Sequence, residues 1–438
     1  MIKNLSTIKK DFNTILKEDT AYIKGDLKHL AKYFFKRQDK FIRLAKENKS
    51  PFYIFDQKEF DIAINNFAKT FTRYIPRLKI YYAMKSNPHP YLLTRIVKVG
   101  HNIDVSSGRE LAIAAKLKPR SILFTGPGKT EDELQLALKH TDRVILNIDS
   151  FTELSRIGRL AAKHKRKISA GIRIFTPLHG LWSKFGIPLN DLSTFWKEAQ
   201  KYPYIDLQGI QVHMSWSDNA EPYIKVIKEI SKYLMLNFSK THRASIKFLD
   251  LGGGFMPYKT EGIHPWSTKQ GAVINAIAKA SNKQIDFSDS YYFEKTATLE
   301  EYAKSISNAV NTYIAPNLSC DIFVEPGRIL STYAMHILLK VADVKSTKKI
   351  ITDGGINIIG WEKFEEYYAP VLNLTHPSTT EIPCTIFGSL CTPDDIWGYS
   401  CFASKMETDD ILLIPYQGAY TYTFRQEFIK SLPNVVKL

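Results

Sequence analysis

Tyr81-Tyr82-Ala83-Met84-Lys85-Ser86-Asn87-Pro88 reads as a short apolar strand that ends on a lysine, after which Asn-Pro turns the chain out of the sheet. A lysine at the carboxyl end of a parallel strand sits where β/α barrels place their catalytic groups. Buried there, the amine loses the solvation that favours its charged form, its pKa falls, and it becomes a nucleophile for a carbonyl, the Schiff-base role. Taken alone, Lys85 is better read as a solvated charge just past a strand. The elements around it decide.

Outward from this stretch a rhythm repeats. Extended apolar runs occupy residues 79–83, 102–105, 121–125, 143–147, 168–174, 207–213, 246–251 and 321–325. Segments of helical periodicity lie among them at 61–73, 91–99, 109–116, 131–139, 151–164, 191–201, 222–238 and 299–314. Strands alternating with helices predict a parallel sheet, and about eight such units predict a closed β/α (TIM-like) barrel. A doubly wound open sheet shares the alternation. The barrel is favoured by where the unusual polar residues fall: Lys85, Asp104, Arg173, His213, the run Gly252-Gly253-Gly254, Glu325 and Gly327-Arg328 all stand at strand ends. Only a closed barrel gathers those ends around one axis.

Three divisions follow. Residues 1–49 form a lysine-rich helical extension, 50–330 the barrel domain, with the strand at 50–56 expected to join the C-terminal domain, and 331–438 a β domain of sandwich or barrel type. A weakly patterned insertion at 255–298 has the character of a lid or substrate wall. The 438 residues, 44% hydrophobic, suffice for a large core. The 60 basic and 44 acidic residues leave a net charge of +16 spread along the chain, which suits small anionic substrates. No zinc-finger, helix-turn-helix or RNA-binding signature accompanies it, so a nucleic-acid binder is the weaker reading. Four cysteines without CxxC spacing argue for a reducing cytoplasm and against a structural zinc or disulfide framework. Neither a bilayer-spanning apolar run nor a signal peptide is evident.

The strand ends also carry a chemistry. Bare amides at Gly252-Gly253-Gly254, with Gly327 and the Arg328 guanidinium on the next strand, suit a phosphate. Glu325 beside them can pair with the ring nitrogen of an aromatic cofactor, and His213 can stack on a flat ring. A lysine for a carbonyl, a phosphate cradle, a carboxylate for a pyridine nitrogen and an aromatic stack together specify pyridoxal 5'-phosphate.

Tyr82-Ala83-Met84-Lys85-Ser86-Asn87, His179-Gly180-Leu181-Trp182-Ser183-Lys184-Phe185-Gly186, Leu251-Gly252-Gly253-Gly254-Phe255, Glu325-Pro326-Gly327-Arg328, Gly388-Ser389-Leu390-Cys391 and Gly418-Ala419-Tyr420 resemble, in order, the motif set of the fold-type III pyridoxal phosphate decarboxylases. This is the diaminopimelate and ornithine decarboxylase family, with an alanine racemase-like fold. The resemblance implies that Lys85 carries the cofactor, that His213 stacks on its ring and that Glu325 keeps the ring nitrogen protonated. It implies phosphate contacts from the glycine run, Gly327, Arg328 and Tyr420, and contacts near the cofactor from Asp104 and Arg173. It further implies a head-to-tail homodimer in which Cys391 reaches into the partner's site as proton donor. A racemase of the same barrel class would face the ring nitrogen with arginine, so Glu325 points to decarboxylation, and intact Lys85, Glu325 and Cys391 speak against a non-catalytic regulator.

The chain departs from the pattern in three places. Trp216 stands where the family has a phosphate-binding serine, leaving Ser215 or Ser217 to substitute. Trp361 and Glu365 stand where diaminopimelate enzymes carry their substrate arginine and tyrosine. Thr392-Pro393 follows Cys391, where enzymes that read a free distal ammonium have an acidic residue. Thr392, Asp395, Trp361 and Tyr368 are the expected substrate contacts. Some family members decarboxylate citryl-amino acids during carboxylate siderophore assembly, and N-citryl-ornithine is the substrate expected here, with diaminopimelate, ornithine or lysine as the alternative.

Overall fold

The computed structural model describes residues 10–15, 22–178, 184–215, 217–283, 291–360 and 367–438. The chain forms two compact units. Residues 58–256 and 297–331 make the first. Its strands are β1 (Leu78–Ala83), β2 (Asn102–Val105), β3 (Ile122–Phe124), β4 (Val144–Ile148), β5 (Ile168–Phe175), β6 (Ile205–Gln211), β7 (Phe248–Asp250) and β8 (Asp321–Val324). Every neighbour pair is parallel, β4 pairs with β5, and β8 pairs with β1, so the sheet closes into the expected eight-stranded barrel. Crossover helices begin on side-chain caps: Ser107, Thr130, Ser150 and Thr298 each accept an amide proton of the first turn.

Within the barrel, Tyr81, Leu123, Phe248 and Phe323 form an apolar layer, with the Phe248 and Phe323 rings stacked at 4.6 Å. Phe248 fits because two strands facing it lack side chains. A Cβ on Gly209 would lie 2.2 Å from the Phe248 ring, and one on Gly171 2.9 Å from it. Two residues further along these strands the inward positions turn polar, and that layer is the candidate site.

Residues 1–57, 257–296 and 332–438 make the second unit. The strand Met335–Ser346 pairs with both Lys349–Thr352 and Ile411–Ile414, and the remaining pairings, through Glu381–Phe387, Ile396–Phe402 and Leu372–Asn373, close a six-stranded β barrel. Phe52–Phe55 and Val435–Lys437 extend it along one edge. The helices Lys28–Phe35 and Gln38–Glu47 bury Ala31, Phe34, Phe41 and Leu44 against residues of this barrel such as Leu338 and Leu413. The described parts of the insertion's 257–296 segment belong to this unit. Its strands Gly262–Ile263 and Tyr292–Glu294 join Tyr22–Lys24 and Tyr367–Tyr368 in a small antiparallel sheet, with Tyr291 and Phe293 buried beneath.

One ion pair fastens the N-terminal helices. Arg37 Nη2 lies 2.5 Å from Asp56 Oδ2, with the two side chains 13% and 2% exposed. His336 Nδ1 accepts the Tyr416 amide proton, so its Nε2–H faces Asp56 at 3.5 Å. Burial opposes ionisation of Asp56, but His336 and Arg37 outweigh it and hold the carboxyl well below its usual range. Replacing Arg37 with methionine strands this buried charge and is expected to cost about 3 kcal/mol, read as a lower urea midpoint. Because the folded-state pKa is depressed, the stabilisation is present above the unfolded value. The gap between wild type and variant therefore closes as pH falls below about 4.

Candidate active site

Each barrel strand delivers a polar group to its carboxyl end. Lys85 is half-buried in the turn after β1, which continues as a 3-10 turn, Met84–Ser86. Asp104, one residue before the end of β2, is fully buried and accepts the Thr125 hydroxyl at 2.5 Å through Oδ1, while its Oδ2 has no partner among the described residues. The Thr125 carbonyl in turn accepts Arg173 Nη1 at 3.3 Å, and the Phe185 ring covers that guanidinium at 4.2 Å. Thr125 thus ties the aspartate of one strand to the arginine of another.

Glu325, 1% exposed, follows β8 and receives Gln211 Nε2 at 3.2 Å. His213 Nδ1 lies 3.1 Å from Glu325 Oε2 and 3.2 Å from the Gly253 amide nitrogen. One nitrogen cannot give a proton to the first and take one from the second. A hydrogen bond to an ionised carboxylate is the stronger, so the imidazole carries its proton on Nδ1. Burial, and then the charge of Lys85, lower the His213 pKa to about 4, so the ring is neutral at pH 7. Its hold on Glu325 is therefore the hydrogen bond rather than a full positive charge. Burial disfavours the Glu325 charge, but this bond, Lys85 and a hydrogen bond with Asp250 lower its pKa to about 2.

Asp250 is the residue that the sequence reading passed over. It ends β7, fully buried, in register with Gln211, and its Oδ1 accepts the Gly252 amide at 2.9 Å. Burial and then the Glu325 charge push its pKa far up, so in the hydrogen-bonded pair the proton resides on Asp250 and the charge on Glu325. Burial and Glu325 likewise raise Asp104, against Lys85 and Thr125. Burial lowers the pKa of Arg173, against Glu325, Asp149, Asp104 and Asp250. Asn147 Nδ2 reaches Asp250 at 3.4 Å, and Lys129, 1% exposed, donates to the Asn147 carbonyl and to Glu153, both at 2.8 Å. The only sequence signal for Asp250 is a lone acid between two leucines, two residues before the glycine run.

The glycine run packs against this layer. Gly252 has φ +69°, and a Cβ on Gly253 would lie 2.5 Å from the Glu325 carbonyl oxygen. Gly327 presses on the Lys85 turn, where a Cβ would sit 3.0 Å from Ser86 Cβ. Arg328 opens the short helix Arg328–Ser331. Ser217 is buried with its Oγ lacking a hydrogen bond of good geometry, and Ser215 is half-buried. The unpartnered Asp104 oxygen, the ionised Glu325, the Lys85 cation and a side-chain-free glycine cradle fit a flat ring carrying a phosphate. Among the described residues no group of acids, histidines and cysteines could hold a metal, and no helix is long and apolar enough to cross a membrane.

The remaining expected site residues belong to the β unit. Cys391 is exposed. Tyr420 adopts φ +63° ahead of the short helix Thr421–Phe424. Two substrate contacts need correction. Asp395 is 1% exposed, and its two oxygens accept the Ile356 and Leu390 amides at 2.8 and 2.7 Å, so it braces the Cys391 turn. Tyr368 is buried, its hydroxyl bonded to Glu381 and its ring stacked on Tyr291 at 3.7 Å, so it belongs to the core. Thr392 lies on the Cys391 turn, half-buried. Trp361, Glu365, Trp216 and the motif residues 179–183 lie outside the described residues.

Residues 62–332 match the family described as pyridoxal-dependent decarboxylase, pyridoxal binding domain. The chain belongs to this family. The decarboxylase is 26% identical over 426 residues to the diaminopimelate decarboxylase of Methanocaldococcus jannaschii, covering 90% of this chain and 87% of the relative. It is 25% identical over 415 residues to that of Helicobacter pylori, covering 90% and 91%. The M. jannaschii enzyme solved with L-lysine superposes with a TM-score of 0.75 at 23% identity, covering 91% and 89%. The arginine decarboxylase of Paramecium bursaria Chlorella virus gives 0.69 at 20% identity, covering 92% and 100%, a likeness of fold. Pyridoxal phosphate, which defines the family, is the cofactor of this chain.

Proposed function

We propose that this decarboxylase removes the α-carboxylate of a diamino acid whose distal amine is citrylated, N-citryl-ornithine being the simplest case, in carboxylate siderophore assembly. The observation that carries decarboxylation is Glu325, ionised and buried among donors at the end of β8. Pyridoxal phosphate, when bound, supplies the sink for the electron pair released from Cα as carbon dioxide leaves. Glu325 Oε would hold a proton at the ring nitrogen, which would deepen that sink. Lys85 Nζ would tether the cofactor through its carbonyl carbon and, once released, would be the nearby amine that can take up or return a proton. His213 supports a ring face, and the Gly252-Gly253-Gly254 run with Gly327, Arg328 and Tyr420 binds the phosphate. Cys391 delivers a proton to Cα from the second subunit of a head-to-tail dimer.

A blocked distal amine is supported by what is missing around Cys391. Thr392 takes the place of the acid that reads a free ammonium, Asp395 has both oxygens occupied by backbone amides, and Trp361 replaces the arginine of diaminopimelate enzymes. The names of the relatives favour a second reading, diaminopimelate itself. Carbon dioxide release from a panel of N-citryl-ornithine, diaminopimelate, ornithine and lysine separates them. The expected kcat/KM for the citryl conjugate exceeds the others by about a hundredfold; equal or faster turnover of diaminopimelate ends the citryl reading.

A further inference from the structure

Behind the glycine run, two buried tyrosines spend their hydroxyls on backbone carbonyls. Tyr223 donates to the Gly253 carbonyl at 2.6 Å and Tyr302 to the Ser217 carbonyl at 2.5 Å. The Ser217 amide donates to the Gly254 carbonyl at 3.0 Å, and Ser217 pairs with Phe255 as an isolated bridge. The Phe255 ring stacks on Tyr223 at 5.1 Å, meets Tyr302 edge-on at 5.5 Å, and touches Phe67 and Phe71. Both tyrosines are fully buried. Their hydroxyls therefore need acceptors, and the acceptors they find are the carbonyls of these two loops.

A trans peptide points its C=O and the following N–H in opposite directions. With the Gly253 carbonyl drawn towards Tyr223, the Gly254 N–H is turned away from that hydroxyl, and it makes no hydrogen bond among the described residues. Ser217 Oγ is buried beside the same loop without a well-formed bond; the nearby Tyr223 hydroxyl gives its proton to Gly253 instead. An amide without a partner, and a hydroxyl held only loosely against the Tyr223 oxygen, stand on two mutually bonded loops and make an anion cradle. Trp216 occupies the sequence position from which a hydroxyl would otherwise come.

We propose that Ser217 supplies the hydroxyl that binds the cofactor phosphate, together with the Gly254 amide, and that Tyr223 and Tyr302 are positioning residues that lock both loops from behind. The proposal rests on pyridoxal phosphate as the cofactor. Its test compares dissociation constants of pyridoxal phosphate and of pyridoxal, which lacks the phosphate, for the wild type and for Tyr223→Phe, Tyr302→Phe, Ser217→Ala and Ser215→Ala. The tyrosine variants keep their rings, so the aromatic cluster stays packed, and thermal melting of the cofactor-free variants checks that it does. Tyr223→Phe, Tyr302→Phe and Ser217→Ala are each expected to weaken pyridoxal phosphate about tenfold while leaving pyridoxal unchanged. Equal weakening of both ligands, or no weakening, overturns the proposal, as does a phosphate-dependent loss in Ser215→Ala in place of Ser217→Ala. Failure of the wild type to bind pyridoxal phosphate would instead remove the cofactor assignment itself.

Discussion

Lys85→Ala is expected to lower decarboxylation by about 10⁴-fold or more and to leave the purified protein without the visible absorbance of a lysine-bound cofactor. The lysine stands half-buried at the end of β1, where its charge is felt by Asp104, Glu110, His213 and Glu325. Lys129, the one lysine fully buried among the described residues, is committed to Glu153. Lys85→Arg is expected to be equally inactive, because a guanidinium does not give up its proton and cannot attack a carbonyl. A small exogenous amine should restore part of the turnover to the alanine variant, since it supplies the missing nitrogen without the missing tether. Wild-type absorbance and rate in Lys85→Ala would move the cofactor's attachment elsewhere.

Glu325→Gln should reduce kcat about 10²-fold to 10³-fold while the cofactor stays bound. The amide is close in size and can still meet Gln211 and His213, but it brings no negative charge to hold a proton on the ring nitrogen. Asp250 then matters. Its proton is kept in place by burial and by the Glu325 charge, so removing that charge eases ionisation of Asp250 and returns part of the lost field. Asp250→Asn imitates the protonated acid and should be mild by itself, yet combining it with Glu325→Gln should cost more than the two single losses added together. A double-mutant cycle of kcat values measures this coupling; strict additivity would mean that the two carboxyls do not share a proton.

The barrel was legible because its information is local. Each strand and each following helix is one continuous run, and Lys85, Asp104, His213 and Glu325 announce themselves as polar residues at apolar strand ends. Asp250 escaped for the opposite reason: inside Leu249-Asp250-Leu251 it reads as one more residue of a strand, and its role depends on Glu325 of β8 and Gln211 of β6 lying beside it. The short strands Tyr22–Lys24, Gly262–Ile263 and Tyr292–Glu294 escaped because two or three residues carry no periodicity, and their partners are remote in the chain. Ile396–Phe402 was hidden by Gly398 and Ser400, which interrupt its alternation. Asp395 and Tyr368 misled in the other direction. Their side chains carry the groups a substrate site uses, and only the structure shows those groups already bonded to backbone amides and to Glu381.

The pairing of Phe52–Phe55 with Val435–Lys437 bears on the order in which the protein assembles as it leaves the ribosome. The barrel needs nothing later than Ser331, and its strands and helices join neighbours in sequence, so it can form while the chain is still being made. The β unit pairs Phe52–Phe55, made before the barrel, with Val435–Lys437, made long after it. Phe34, Phe41 and Phe52 must therefore wait uncovered for the whole barrel and then for the strands that carry Leu338, Leu372 and Leu413 to be translated. That delay makes the segment around Phe52–Phe55 a part of the nascent chain in need of shielding, and makes loss of Val435–Lys437 a defect of that remote strand as well.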